Sequence, residues 1–148
     1  MTSCDTNILF VALEASRPGH AEARAFLEGR RDDPDFAVCE LVLMELYVLL
    51  RNPVVAKRPL SAGEAAAIIR SLRSNPSWDV LDQPGPAGQV MEELWERAGE
   101  EGFVRRRIFD VRLALTLRHH GVTEFATANG KDFGEFGFAR VWNPLTIS

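Results

Sequence analysis

Apolar residues in this chain come in short runs separated by polar breaks, and the period of each run changes along the sequence. Residues 2–4 predict a short strand. A loop at 5–7 and a helical run through Ile8, Leu9, Phe10 and Val11 to about Ala15 follow it. Arg17-Pro18-Gly19 breaks that run, and residues 20–29 predict a helix with Ala23, Phe26 and Leu27 on one side. After a polar turn at 30–35, the apolar run Phe36-Ala37-Val38-Cys39 predicts a buried strand. Residues 40–51 are apolar almost all round, which predicts a buried helix ending at Asn52-Pro53. Ser61 and Glu64 make a capping box before an alanine-rich helix reaching about Arg73. A strand at 78–81, a loop at 85–88, a helix at 89–99 and a second helix at 109–119 closed by Gly121 come next. Short strands at 124–126 and 140–142 complete the pattern. Strands alternating with helices predict an α/β fold around a mostly parallel sheet.

At 148 residues the chain is expected to form one domain, residues 1–148, with a core of its own. The apolar fraction of 46% and charged fraction of 26% are those of ordinary globular proteins. A net charge of −4 gives no overall attraction to nucleic acid and leaves room only for local basic patches. The start has no basic residue ahead of its apolar run, unlike a secretory signal. The longest near-apolar stretch, 41–50, is too short to span a bilayer. Cys4 and Cys39 form no CxxC and no zinc spacing, and read as small buried thiols of a protein in a reducing cytoplasm.

Three carboxylates break the hydrophobic pattern. Asp5 follows the first strand, where it reads either as a helix N-cap or as a group aimed at a ligand beyond the strand ends. Glu45 stands alone on the apolar helix, where an unpaired buried charge is expensive, so it reads as half of a buried ion pair or as a cation ligand. Asp110 lies near a helix start, which favours its charge, on a face whose other residues are apolar. A polar cluster, Thr127-Ala-Asn129-Gly-Lys-Asp132, follows the strand at 124–126 and suits a turn as well as a site. In a parallel α/β fold these positions can converge, and clustered carboxylates are reconciled by a divalent cation such as Mg²⁺ or Mn²⁺, which activates water for phosphoryl chemistry.

D-T-N at 5–7, a lone Glu45 in an apolar helix, F-D-x-x-L-A from Phe109 and T-x-N-x-x-D-F from Thr127 occur in an order that resembles the PIN-domain nucleases, most closely the VapC-type toxins of bacterial toxin–antitoxin pairs. The resemblance spans essentially the whole chain. It implies a three-layer α/β/α fold with a mostly parallel central sheet and a Mg²⁺- or Mn²⁺-dependent endoribonuclease of the cytoplasm. It also implies a small antitoxin partner and a homodimer. It further implies that Asp5, Glu45 and Asp110 hold metal, that Asn129 and Asp132 complete the catalytic set, and that Thr6, Asn7 and Thr127 shape the site. Asn129 stands where many relatives carry an acidic residue, which implies a weaker hold on a second metal. Cys39-Glu40 replaces the Ser or Thr cap common before the glutamate helix.

Arg105, Arg106 and Arg107 precede the Asp110 helix and read either as RNA-phosphate ligands or as partners of Glu100 and Glu101; Arg112 and Lys57-Arg58 are weaker phosphate candidates. His119-His120 complements a helix end, and Trp78, Trp95 and Trp142 read as core or interface. A haloacid-dehalogenase-like phosphatase is set aside because position 7 is Asn. A PIN-like nuclease acting on DNA and a degenerate module that only binds a partner remain as alternatives.

Overall fold

The computed structural model describes residues 1–82 and 88–146. Its elements run β1 (Thr2–Cys4), α1 (Thr6–Leu13), α2 (His20–Gly29), β2 (Phe36–Cys39), α3 (Glu40–Arg51), α4 (Ala62–Arg73), β3 (Asp79–Leu81), α5 (Gly88–Ala98), α6 (Arg107–His119), β4 (Glu124–Ala126) and β5 (Arg140–Trp142). A 3-10 turn, Gly130–Phe133, separates the last two strands. The loop expected at 85–88 lies outside the described residues, except for Gly88, which begins α5.

The strands form one sheet in the order β3-β2-β1-β4-β5, every neighbouring pair parallel. The chain travels outward from β1 to β3, then returns to the other side of β1 for β4 and β5. Right-handed crossovers therefore place α1–α4 on one face and α5–α6 on the other. Helix packing agrees: α1 touches α2 and α3, α3 touches α4, and α5 touches α6. With both faces covered, the central strands are buried at every position, which is why β2 reads as an unbroken apolar run. Ser3, polar within β1, donates from its hydroxyl to the Ala37 carbonyl at 2.7 Å.

Local chemistry sets the helix ends. Ser61 and Glu64 form the expected capping box on α4. Gly121 follows the end of α6 at φ +85°, a left-handed conformation that glycine adopts without strain. Two expectations need correction. The segment 5–7 is not a loop: Asp5 is extended, caps α1, and leaves Thr6 and Asn7 in the first helical turn. Helix α6 starts at Arg107, two residues early, without a side-chain cap.

α3 also departs from its expected full burial. Val42, Leu43, Leu46 and Leu50 face the core, while Met44, Glu45 and Val48 are exposed. A twelve-residue helix covering one face of a sheet has a second side, and here that side stays apolar while facing outward. Cys39 precedes α3 without making a side-chain cap.

Candidate active site

The sheet changes direction between β1 and β4, and in open α/β sheets the crevice beyond the strand ends at such a point receives ligands. Asp5 leaves β1 there and Thr127 leaves β4. The Asp5 amide donates to the Ala126 carbonyl at 2.9 Å, tying the two strand ends together. The Asp5 side chain is only 8% exposed. Its Oδ1 accepts from the Thr6 amide at 2.8 Å and its Oδ2 accepts from the Thr127 hydroxyl at 2.7 Å. Burial pushes its carboxyl up to about 6. Those two hydrogen bonds oppose the rise, and the charges of Glu45 and Asp110 add to it.

Thr6 links α1 to α3. Its hydroxyl donates to Glu45 Oε2 at 2.8 Å, so the glutamate is steered by a buried threonine although it is itself exposed. This corrects the reasoning from burial: Glu45 is not desolvated, and among the described residues it makes no ion pair. Asp110, half-buried in the first turn of α6, has its carboxyl raised by burial, then by the charges of Asp132 and Glu45, against a lowering effect from Arg107.

Asp5, Glu45 and Asp110 line a single cavity of about 590 Å³ between α3 and α6, shared with Met44, Phe109 and Arg112. Asp132 stands beside Asp110 electrostatically without lining that cavity. Its position follows from Phe133, which is buried against Phe125 of β4 with ring centroids 4.8 Å apart. Asn129 is exposed, and its amide donates to the Thr127 hydroxyl at 3.0 Å. Asn7 accepts from the Ala128 amide through Oδ1 at 3.3 Å, holding the β4 exit against α1. Asn129 and Asn7 therefore shape the loop and do not line the cavity.

The basic triplet separates into two roles. Arg107 donates to Glu135 and to the Asp132 carbonyl, so it braces the turn; Arg105 and Arg106 are exposed. None of the three makes a salt bridge with Glu100 or Glu101 among the described residues. Arg112 reaches the cavity, and its buried Nε has no hydrogen-bond partner. Phe109, Met44 and Val48 also reach it; Phe109 stands in a quoted motif but without a role of its own, and nothing in the sequence marked Met44 or Val48, because an apolar residue beside a carboxylate on a helix reads as core.

The donors are all oxygen, the charges around them raise the proton affinity of Asp5 and Asp110, and no basic side chain forms a salt bridge with Asp5, Glu45 or Asp110 among the described residues. That chemistry fits a hard divalent cation. Their spacing is open: among the described residues, no three Asp, Glu, His or Cys side chains stand close enough, as placed, to hold one ion.

Comparison with known proteins gives three findings. The family model described as "PIN domain" matches residues 3–139. The chain is 53% identical over 146 residues to Ribonuclease VapC24 of Mycobacterium tuberculosis, covering 99% of this chain and 98% of that protein. Among solved structures, it resembles the M. tuberculosis VapC20 toxin described as cleaving the sarcin-ricin loop, with a TM-score of 0.66, 20% identity, and 93% and 96% of the two chains covered. It also resembles DNA-bound VapBC from Salmonella typhimurium, with a TM-score of 0.57, 20% identity and 97% of each chain covered.

Proposed function

The chain belongs to the PIN domain family, and from that premise we propose that it is a divalent-metal-dependent endoribonuclease, the toxin of a toxin–antitoxin pair. The observation that carries this reading is the convergence of Asp5, Glu45 and Asp110, from three separate elements, on one cavity at the sheet's switch point. The 53% identity to a protein named a ribonuclease supports the reaction class.

Asp5, Glu45 and Asp110 would hold Mg²⁺ or Mn²⁺, which when bound would supply Lewis acidity and lower the pKa of a water so that it can lose a proton near neutral pH. The chain's own residues do the rest. Thr127 and the Thr6 amide fix both oxygens of Asp5, and the Thr6 hydroxyl fixes one oxygen of Glu45. Such outer hydrogen bonds orient ligands and maintain their charge. Asp132 adds negative charge beside Asp110, and Asn129 and Asn7 hold the loop that carries Thr127. Arg112 meets a phosphate inside the cavity, while the exposed Arg105 and Arg106 draw the RNA backbone toward it.

The exposed apolar side of α3, with Met44, Tyr47 and Val48 over Ala66 and Ile69 of α4, offers an antitoxin or a second copy a surface to cover. Among the described residues no helix is long and apolar enough to cross a membrane. The reading places the protein in the cytoplasm with its RNA.

The test is purified protein with Mn²⁺ and RNA, run beside Asp5→Asn. Cleavage by wild type alone supports the reading, and equal cleavage by both overturns the site. The open spacing of the carboxylates favours one rival, a module that binds without cutting. Absence of Mn²⁺ binding in calorimetry would establish it.

A further inference from the structure

We propose that Phe109 is a base-stacking residue of the substrate site: a nucleobase beside the scissile phosphate lies on its ring, while Arg112 holds a phosphate of the same strand. This deepens the nuclease reading and rests on it. The chain has nine phenylalanines. Phe109 alone among them is exposed, at 61%, and it has no aromatic partner among the described residues. It immediately precedes Asp110 and lines the same cavity as the three carboxylates. A large ring facing solvent beside a charged site is costly to hydrate and offers a sequence-tolerant face to any base.

Arg112 is the second observation. Its side chain enters the cavity, its Nε is buried without a partner, and it forms no ion pair among the described residues. By contrast, Arg17, Arg30, Arg73, Arg97 and Arg107 are each paired with a carboxylate. A partly desolvated guanidinium without an anion is unfavourable until one arrives, and it binds phosphate through paired donors. Residues three apart on a helix stand side by side, about 5–6 Å between Cβ atoms, a separation on the scale of one nucleotide. An apolar side chain from a protein would cover Phe109 but leave Arg112 unpaired, whereas a nucleotide satisfies both.

The experiment measures the affinity of fluorescein-labelled single-stranded RNA by anisotropy, with Ca²⁺ in place of Mg²⁺ so that binding is read apart from cleavage. Phe109→Ala should weaken binding about 5- to 100-fold, and Phe109→Trp should restore it. On an oligonucleotide whose central riboses carry no base, wild type and Phe109→Ala should bind alike. Because the ring is exposed, both variants should keep the wild-type melting temperature. An equal loss on the abasic strand, a failure of Trp to restore, or no RNA binding by wild type overturns the proposal. So does a Phe109→Ala variant that binds RNA normally but loses its protein partner. Failure of the nuclease reading is seen separately, as absence of cleavage with Mn²⁺.

Discussion

Thr127 donates its hydroxyl proton to Asp5 Oδ2 at 2.7 Å, a hydrogen bond between residues 122 positions apart that holds the exits of β4 and β1 to one carboxylate. Both partners are buried, so the bond has no water to replace it. Thr127→Val should cost about 1–3 kcal/mol of stability at pH 8, the penalty of leaving a buried acceptor unmet. Thermal melts should show a fall of about 2–10 °C for Val and little change for Ser. A Val variant as stable as wild type would show that this bond is replaceable.

The Asp5 carboxyl stands at about 6 in the folded chain against an ordinary 3.8, chiefly through burial. The folded state therefore binds this proton more tightly than the unfolded state. The group's stabilising contribution is full below pH about 4 and is lost as pH rises through about 6. The rise corresponds to about 3 kcal/mol at pH 8. Asp5→Asn should raise the Tm of the metal-free protein at pH 8 by a few degrees while abolishing cleavage, and the gain should shrink toward pH 4.5. A gain that is constant with pH would assign the effect to something other than this ionisation.

Thr6 touches Glu45 from a buried position, yet Glu45 itself is exposed. Thr6→Val keeps the shape and removes the hydroxyl, and water can still reach the glutamate. Calorimetry should report Mn²⁺ affinity lower by about 10-fold, the usual order for losing an outer hydrogen bond. The melting temperature should move little. A large loss of stability with metal affinity intact would mean that Thr6 serves packing alone.

Arg107 lowers the Asp110 proton affinity and braces the turn through Glu135 and the Asp132 carbonyl. Arg107→Ala should move the acidic limb of the pH–rate profile upward, because Asp110 then ionises at higher pH. The Glu135 pair is surface-exposed, and its loss alone should cost under about 1 kcal/mol. An unmoved limb would separate Arg107 from the chemistry.

Cys4 and Cys39 are buried, and burial pushes both thiols above their ordinary range. Neither should react with a thiol reagent such as DTNB in the native protein at pH 8, and both should react after unfolding. Rapid native labelling would show that the strand ends open.

The sheet was legible because its signals are local and agree with one another. The run at 36–39 is apolar on both faces, as a strand covered by helices on both sides must be, and the Ser61–Glu64 box marks a helix start within four residues. The site was harder. Motif order singled out Asp5, Glu45 and Asp110, yet the physical argument for Glu45 failed, since periodicity alone does not say which side of an apolar helix meets the sheet. Phe109 stood in the motif around Asp110, yet its exposure was hidden for the same reason: its phase along α6 matches Leu113, but it sits in the first turn, past the edge of the core. Asn129 matched a motif position while its side chain stayed out of the cavity, because the backbone of that turn carries the contact.

β1 precedes the other described strands in the chain, yet it lies at the centre of the sheet, with β4 as one of its two neighbours. On the ribosome, a nascent chain that has produced Asp5 and Glu45 still lacks Asp110 and Thr127, and nothing ties the exit of β1 in place. A chain cut short before β4 is therefore expected to lack the assembled site. The carboxylate set and the Thr127 bond are thus completed together, late in the order of elements, so that no shorter piece ending before β4 carries the assembled site.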